Sequence, residues 1–430
     1  MSKRRIPIWL LLIVLAPGLL LAFIGGLWAY VTATAVALHP DINKVPSVTR
    51  AAPLPRWAGA VEQGRQIVRA GLNDQNLPGV SVAVGVGGEI VWAEGFGFAD
   101  LETRTKVDPE TRFRIGTASV VLTSAAVGVL LEQGRLKLDD EIQTYVPEYP
   151  KKPWPVTLRQ LMGHLAGVGT DAGDEGPFDQ HCQRPVEALK IFGRDPLRFE
   201  PGTRFRYSSY GWMLVSAAIE AAAGESFLPF MRKQIFEPLG MDRMRMDSAV
   251  EPNPDRATFY FPRFAADPRY GLDLNRVMDF SCYAGASAFL ATPSDLVRFG
   301  MAINGGKLLQ PATVQLLQTS QRLPSGEETG YGLGWDLETV TLGDTQTTMV
   351  GHDAEAMGGM IGSFLTFPKQ GIVVAVTSNT GYADTFALGV KIASAFEKAS
   401  NMKGMEKTRA FRHGFSGIAA LASARGFVRH

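Results

Sequence analysis

The chain has 430 residues, 46% of them hydrophobic and 20% charged, with 43 lysines and arginines against 42 acidic residues for a net charge of +1. That length carries a large core, the composition is that of a folded protein, and nothing in the charge balance points to nucleic acid or an acidic partner. Two cysteines, Cys182 and Cys282, exclude a disulfide scaffold and a cysteine-built metal site.

In chain order, Lys3, Arg4 and Arg5 precede an apolar run from Ile6 to Val31. About 25 residues rising about 1.5 Å each reach about 37 Å, enough to cross a hydrocarbon core of about 30 Å. The run exceeds the apolar part of a cleaved signal, roughly 7–15 residues, so residues 1–32 read as an uncleaved anchor. The alternative is cleavage at Ala35-Val36-Ala37. Basic residues stay cytoplasmic, which puts the remaining chain on the periplasmic or extracytoplasmic side. Cys182 and Cys282 read as two separate buried thiols, and a single disulfide between them on that side is the alternative.

Residues 33–56, proline-rich from His39 to Arg56, read as a linker, and Trp57 to Leu72 as a helix. Gly79–Val86 and Glu89–Gly95 read as strands joined at Gly87-Gly88, a strong hairpin signal because primed turns need positive φ. A third strand ends near Phe113. Helices follow at Ser119–Gln133, closed by Gly134, from a Thr157 cap to His164, at Tyr210–Ala223, closed by Gly224, and from Pro293. Strands return at Gly332–Trp335, Met360–Phe367 and Ile372–Asn379, before a helix from Asp384 to Lys398. This order predicts an α+β fold: a mostly antiparallel sheet flanked by helices, with a helical subdomain inserted. The sheet part takes 57–112 and about 321–399, and the helical part about 113–320. Residues 400–430 read as a solvated basic tail.

Several motifs recur in a recognisable order from Trp57 to Lys398. They are Gly95-Phe96-Gly97-Phe98-Ala99-Asp100, Thr111–Gly116, Leu136–Asp140, Thr157–His164, Pro201–Gly211 and Tyr331–Trp335. The chain thereby resembles the serine β-lactamase-related family of class C β-lactamases, D-alanyl-D-alanine carboxypeptidases and related esterases. The resemblance implies a β-lactamase/transpeptidase-like fold and acyl transfer through a nucleophile on a buried helix. Fold alone does not establish that activity.

The residues that carry the family's chemistry are altered here. Thr117 stands where the resemblance places the nucleophilic serine, and Val120 where it places the lysine that readies the hydroxyl. The β-methyl of Thr117 stiffens χ1 and crowds attack, and valine accepts no proton. Ser119 sits about 100° round the helix, with Leu122 rather than lysine three residues on. Tyr207 keeps the tyrosine that moves protons in the family, whereas Ser209 replaces an amide that binds substrate on two edges. His352 matches the element that binds a substrate carboxylate. Ala354 replaces a glycine that lets substrate lie on the strand. The backbone N–H groups of Thr117 and Glu355 would form the oxyanion hole. Leu165-Ala166 replaces a further polar pair.

These changes run in one direction, from reactive to apolar. They lead to an expectation of a membrane-anchored envelope protein with lost or impaired acyl transfer and a binding or scaffolding role. The alternative is an active hydrolase of β-lactam, D-alanyl peptide or ester, with Thr117 as nucleophile and Tyr207 as base. The ligand class is a small acyl or peptidoglycan-peptide molecule, and the sequence names no protein partner. No cofactor or metal is expected, since the six histidines lack ligand spacing.

Overall fold

Seven antiparallel strands in line, with the short strand Thr105–Lys106 paired to one of them, form the main sheet of the computed structural model, which describes residues 8–169, 180–247, 255–263, 268–274, 278–356 and 360–401. The strands are β1 (Ser47–Thr49), β2 (Gly79–Val86), β3 (Glu89–Asp100), β4 (Asp336–Leu342), β5 (Thr345–Ala356), β6 (Met360–Phe367) and β7 (Ile372–Ser378). Their order across the sheet is β1-β3-β2-β7-β6-β5-β4, so strands from both ends of the chain meet at the β2–β7 pair. The hairpin turn lies at Gly87 and Gly88, with φ of 61° and 89°, as the Gly-Gly pair predicts.

Helices cover both faces, which explains why β7 is buried throughout and apolar from Ile372 to Val376. Side chains alternate across a strand, so Val373 and Ala375 join the core under the helical part, with Ala83 and Phe364. Val374 and Val376 join the opposite core. There they pack with Val61 and Val68 of α2 (Ala58–Asp74) and with Leu388 and Ile392 of the helix over residues 385–401. Burying each such side chain contributes about 1.5–3 kcal/mol.

The helical part contains α3 (Ser119–Glu132), α4 (Ser209–Ala223) and α5 (Pro293–Asn304). Their ends follow the sequence signals. Gly134 and Gly224 adopt φ of 69° and 63° just past α3 and α4. The Thr292 hydroxyl accepts from the Asp295 N–H at 3.2 Å ahead of α5. Thr157 and Gln160 form a reciprocal capping box. Cys182 and Cys282 form a disulfide, with Cα atoms 4.7 Å apart.

Some expectations are corrected. Gly332–Trp335 is irregular rather than a strand, and β4 begins only at Asp336. Gly334 has φ of 95°, and a Cβ there would lie 2.7 Å from the Trp212 ring, so close packing bends this stretch. Phe113–Arg114 leaves the main sheet and pairs with Phe289–Ala291 in a separate small sheet. Inside the proline-rich stretch, Ser47–Thr49 pairs with Glu94–Phe96, and Val45 is buried. Ahead of these, α1 (Ile8–Thr34) is the apolar helix expected at the N-terminus. Lys3–Arg5 and the basic tail from residue 402 lie outside the described residues.

Candidate active site

Thr117 sits in a single tight turn, Gly116–Ala118, directly ahead of α3. The approach to it is fixed from behind. Arg114 is buried, pairs with Asp247 at 2.6 Å, and lies 4.3 Å and 4.7 Å from the Phe259 and Phe280 ring centres. Asp247 also accepts from Arg256 at 2.6 Å. A buried, doubly paired carboxylate holds the strand that delivers the turn.

In front of Thr117 is β5. The β4–β5 ladder ends where Asp336 faces Gly351, so beyond that point β5 is paired with β6 alone and its other edge is open. The Asp353 N–H on this edge donates to Asp336 Oδ2 at 3.3 Å, and the Asp353 carbonyl accepts the Thr117 hydroxyl at 3.2 Å. Glu355 occupies the equivalent edge position two residues on, so the ladder's alternation turns its N–H to the same side. Ala354 is buried across from Gly362.

Val120 is fully buried in the core cluster under the helical part. Between residues 111 and 134 the only cations are Arg112 and Arg114, and their carboxylate partners are Asp255 and Asp247. Ser119 is also fully buried, and its hydroxyl accepts the Phe289 N–H at 3.4 Å. It serves the fold rather than the cleft.

Tyr207 belongs to an aromatic group that sequence reasoning did not assemble. The His164 ring lies 4.1 Å from Tyr207 and 4.6 Å from Tyr331, and the His352 ring lies 6.2 Å from Tyr207 and 5.9 Å from Tyr331. Ser208 closes the start of α4: its N–H donates to His164 Nδ1 at 3.1 Å, and its hydroxyl donates to the Gly169 carbonyl at 2.5 Å. Ser209 follows as the buried first residue of α4. His164 has φ of 58°, rare outside glycine, and nothing in its sequence surroundings signals that geometry.

The hydrogen bonds assign the histidine protons. His164 Nδ1 accepts, so its proton sits on Nε2, which has no partner among the described residues. Burial holds this imidazole well below its usual pKa, and His352 adds to the effect. His352 Nδ1 donates to the Asp353 carbonyl at 2.8 Å, and Nε2 accepts from the Tyr331 hydroxyl at 3.1 Å. Burial, with Tyr207 and Asp336 adding, raises the Tyr331 phenol well above its usual range. Both ring nitrogens of His352 are thus engaged inside the protein, and the side chain is 2% exposed. Glu338 is raised too, by burial first and then by Asp336 and Asp353.

The site therefore has two parts joined through β5: Thr117 against the open edge at Asp353, and Tyr207 against His352. Among the described residues, no group of His, Cys, Asp and Glu is arranged to hold a metal ion.

The β-lactamase family model matches residues 65–395. The chain belongs to the β-lactamase family. Within this family it is 27% identical to the human protein named serine beta-lactamase-like protein LACTB, mitochondrial, over 80% of each chain. It is also 27% identical to penicillin-binding protein 4* of Bacillus subtilis, over 60% of this chain and 59% of that one. The octameric penicillin-binding protein homologue from Pyrococcus abyssi superposes with a TM-score of 0.63 at 25% identity, covering 77% of this chain and 76% of that one. D-amino acid amidase from Ochrobactrum anthropi, at 21% identity and a TM-score of 0.66, shares the fold over 80% of this chain and 99% of its own. The β-lactamase/transpeptidase-like α+β fold is thus shared by proteins whose names cover several kinds of chemistry.

Proposed function

We propose that this β-lactamase family member is a membrane-anchored binding or scaffolding protein of the envelope, in which acyl transfer is lost or greatly reduced. The observation that carries this reading is Val120. One turn along from Thr117, where a lysine would hold the hydroxyl ready, stands a fully buried valine packed into the core. The Thr117 hydroxyl rests instead on a backbone carbonyl, which cannot take its proton. His352, with both nitrogens occupied, has no free N–H for a substrate carboxylate. The acidic side chains of Asp336 and Glu338 nearby weigh against a carboxylate-bearing ligand as well.

The anchor in this reading is α1, whose window Leu15–Thr34 is long and apolar enough to span. The Cys182–Cys282 disulfide supports a domain on the oxidising side, away from Lys3–Arg5.

A second reading keeps a working acyl hydrolase of β-lactam, D-alanyl peptide or ester. It is favoured by the open β5 edge, where the Thr117 and Glu355 N–H groups can serve a developing oxyanion, with Tyr207 as base and Ser209 on the ligand. Intact mass after incubation with a fluorescent penicillin or a fluorophosphonate separates the two. No adduct and no turnover of a simple ester are expected. A stoichiometric adduct mapped to Thr117 would replace the first reading with the second.

A further inference from the structure

The chain does not leave α1 on a free tether. The Leu38 N–H donates to Asn76 Oδ1 at 2.8 Å, and Asn76 Nδ2 donates to the carbonyls of Val36 at 3.1 Å and Pro268 at 3.2 Å. Asn76 is buried with φ of 51°, a conformation that asparagine tolerates better than most residues. Asn73 Nδ2 donates to the His39 carbonyl at 2.8 Å. His39 Nε2 reaches the carbonyls of Leu77 and Pro78 at 3.0 Å and 3.2 Å, and its ring stacks on Phe98. At the helix end itself, Arg263 Nη1 donates to the Thr34 hydroxyl at 3.2 Å, while Arg263 Nε lies 3.7 Å from Asp273. Val31 in the last turn of α1 is buried, although the apolar residues before it, such as Phe23 and Trp28, are exposed.

We propose that these contacts seat the domain on the bilayer surface in one orientation, with Arg263 and the turn Pro268–Tyr270 at the lipid headgroups. The proposal rests on α1 being a membrane anchor. The apolar part of α1, Ile8 to Val31, reaches about 36 Å and crosses a hydrocarbon core of about 30 Å with tilt, so Thr34, just past its last apolar residue, marks the boundary. The headgroup layer beyond is roughly 5–7 Å deep on each side, so the guanidinium bonded to Thr34 lies within it. Arginine and tyrosine suit that layer: the guanidinium pairs with phosphate, and the tyrosine ring has one apolar and one polar end. Arg263, Arg269 and Tyr270 supply those groups beside the helix end. The occupant is therefore the headgroup surface of the bilayer that holds α1.

The test uses the full chain in vesicles of equal phosphatidylcholine and phosphatidylglycerol, containing lipid spin-labelled at the headgroup. Both native cysteines are in the disulfide, so Arg269→Cys provides a single thiol for a fluorophore and leaves Tyr270 and Arg263 in place. Glu89→Cys is the control, at the start of β3 just past the hairpin turn and, by the length of β2, roughly 25 Å from the seat. The label at position 269 should be quenched severalfold more than the one at 89. Adding Asn76→Ala, which removes three clamp bonds, should reduce that difference while the chain stays bound to the vesicles. Equal, weak quenching at both sites in a chain that still floats with vesicles would overturn the seat and leave the anchor standing. A chain that fails to float with vesicles would overturn the anchor and the seat together.

Discussion

In the proposed reading Val120 and His164 weigh most on what the cleft can do, and each carries a prediction. Restoring the family's lysine with Val120→Lys buries an ammonium among apolar side chains, and desolvation opposes its charge. Thermal denaturation of the full chain in detergent should show a loss of about 2–4 kcal/mol. The double variant Thr117→Ser with Val120→Lys should remain inert toward a simple ester, because the lysine meets a filled core. Measurable hydrolysis by that variant would show that the pocket is still open. His164 gives a pH dependence. Burial lowers its pKa, so it stays neutral in the folded protein, while the unfolded chain takes up a proton below about 6.5. Stability from this group is full above pH 6.5. It falls as the pH drops below that value, by up to about 1.4 kcal/mol per pH unit, until the depressed pKa is reached. His39 is lowered by burial too and adds in the same direction. Denaturation midpoints measured from pH 8 to pH 5 should fall, and His164→Phe should flatten part of that fall. The assignments at 117, 120, 209 and 354 come from the resemblance alone, each being a departure at a motif position. The edge-on contact of the His164 and Tyr331 rings was not legible in sequence, since it depends on a positive φ at His164.

Among elements, those announced by local chemistry were read well. The Gly87-Gly88 turn, the Thr157 capping box and the glycines after α3 and α4 act within a few residues, so their effect appears in the sequence itself. Strands β4 and β5 were harder to see before the motif at His352. Threonines alternate with few apolar residues there, because one face of β4 is largely exposed. Gly332–Trp335 misled in the other direction. Its bend is set by the distant Trp212 ring, which no local pattern reveals. The Cys182–Cys282 link is likewise an effect of folding, joining residues 100 apart in sequence. Closing a loop of that length stabilises by about 3–5 kcal/mol through the unfolded state. Cys282→Ala should lower the melting temperature accordingly and remove its sensitivity to reductant, as read by thermal scans with and without dithiothreitol.

At the level of the whole molecule, the order of strands, helices and strands was enough to place the architecture. It could not say that the middle of the sheet is a pairing between the two ends of the fold. Val86 of β2 lies beside Ile372 of β7, and the registration continues to Val80 beside Ser378. On the ribosome, β7 is made almost three hundred residues after its neighbour. At about 5–20 residues per second, the delay is roughly 15–60 s. For that interval the apolar β2–β3 hairpin has one unsatisfied edge, a template for pairing with any other nascent chain. In the proposed reading, α1 emerges ahead of the hairpin and ties it close to a lipid surface while it waits. In that reading, crowding of nascent chains at that surface is a hazard of making this protein that the finished sheet no longer shows.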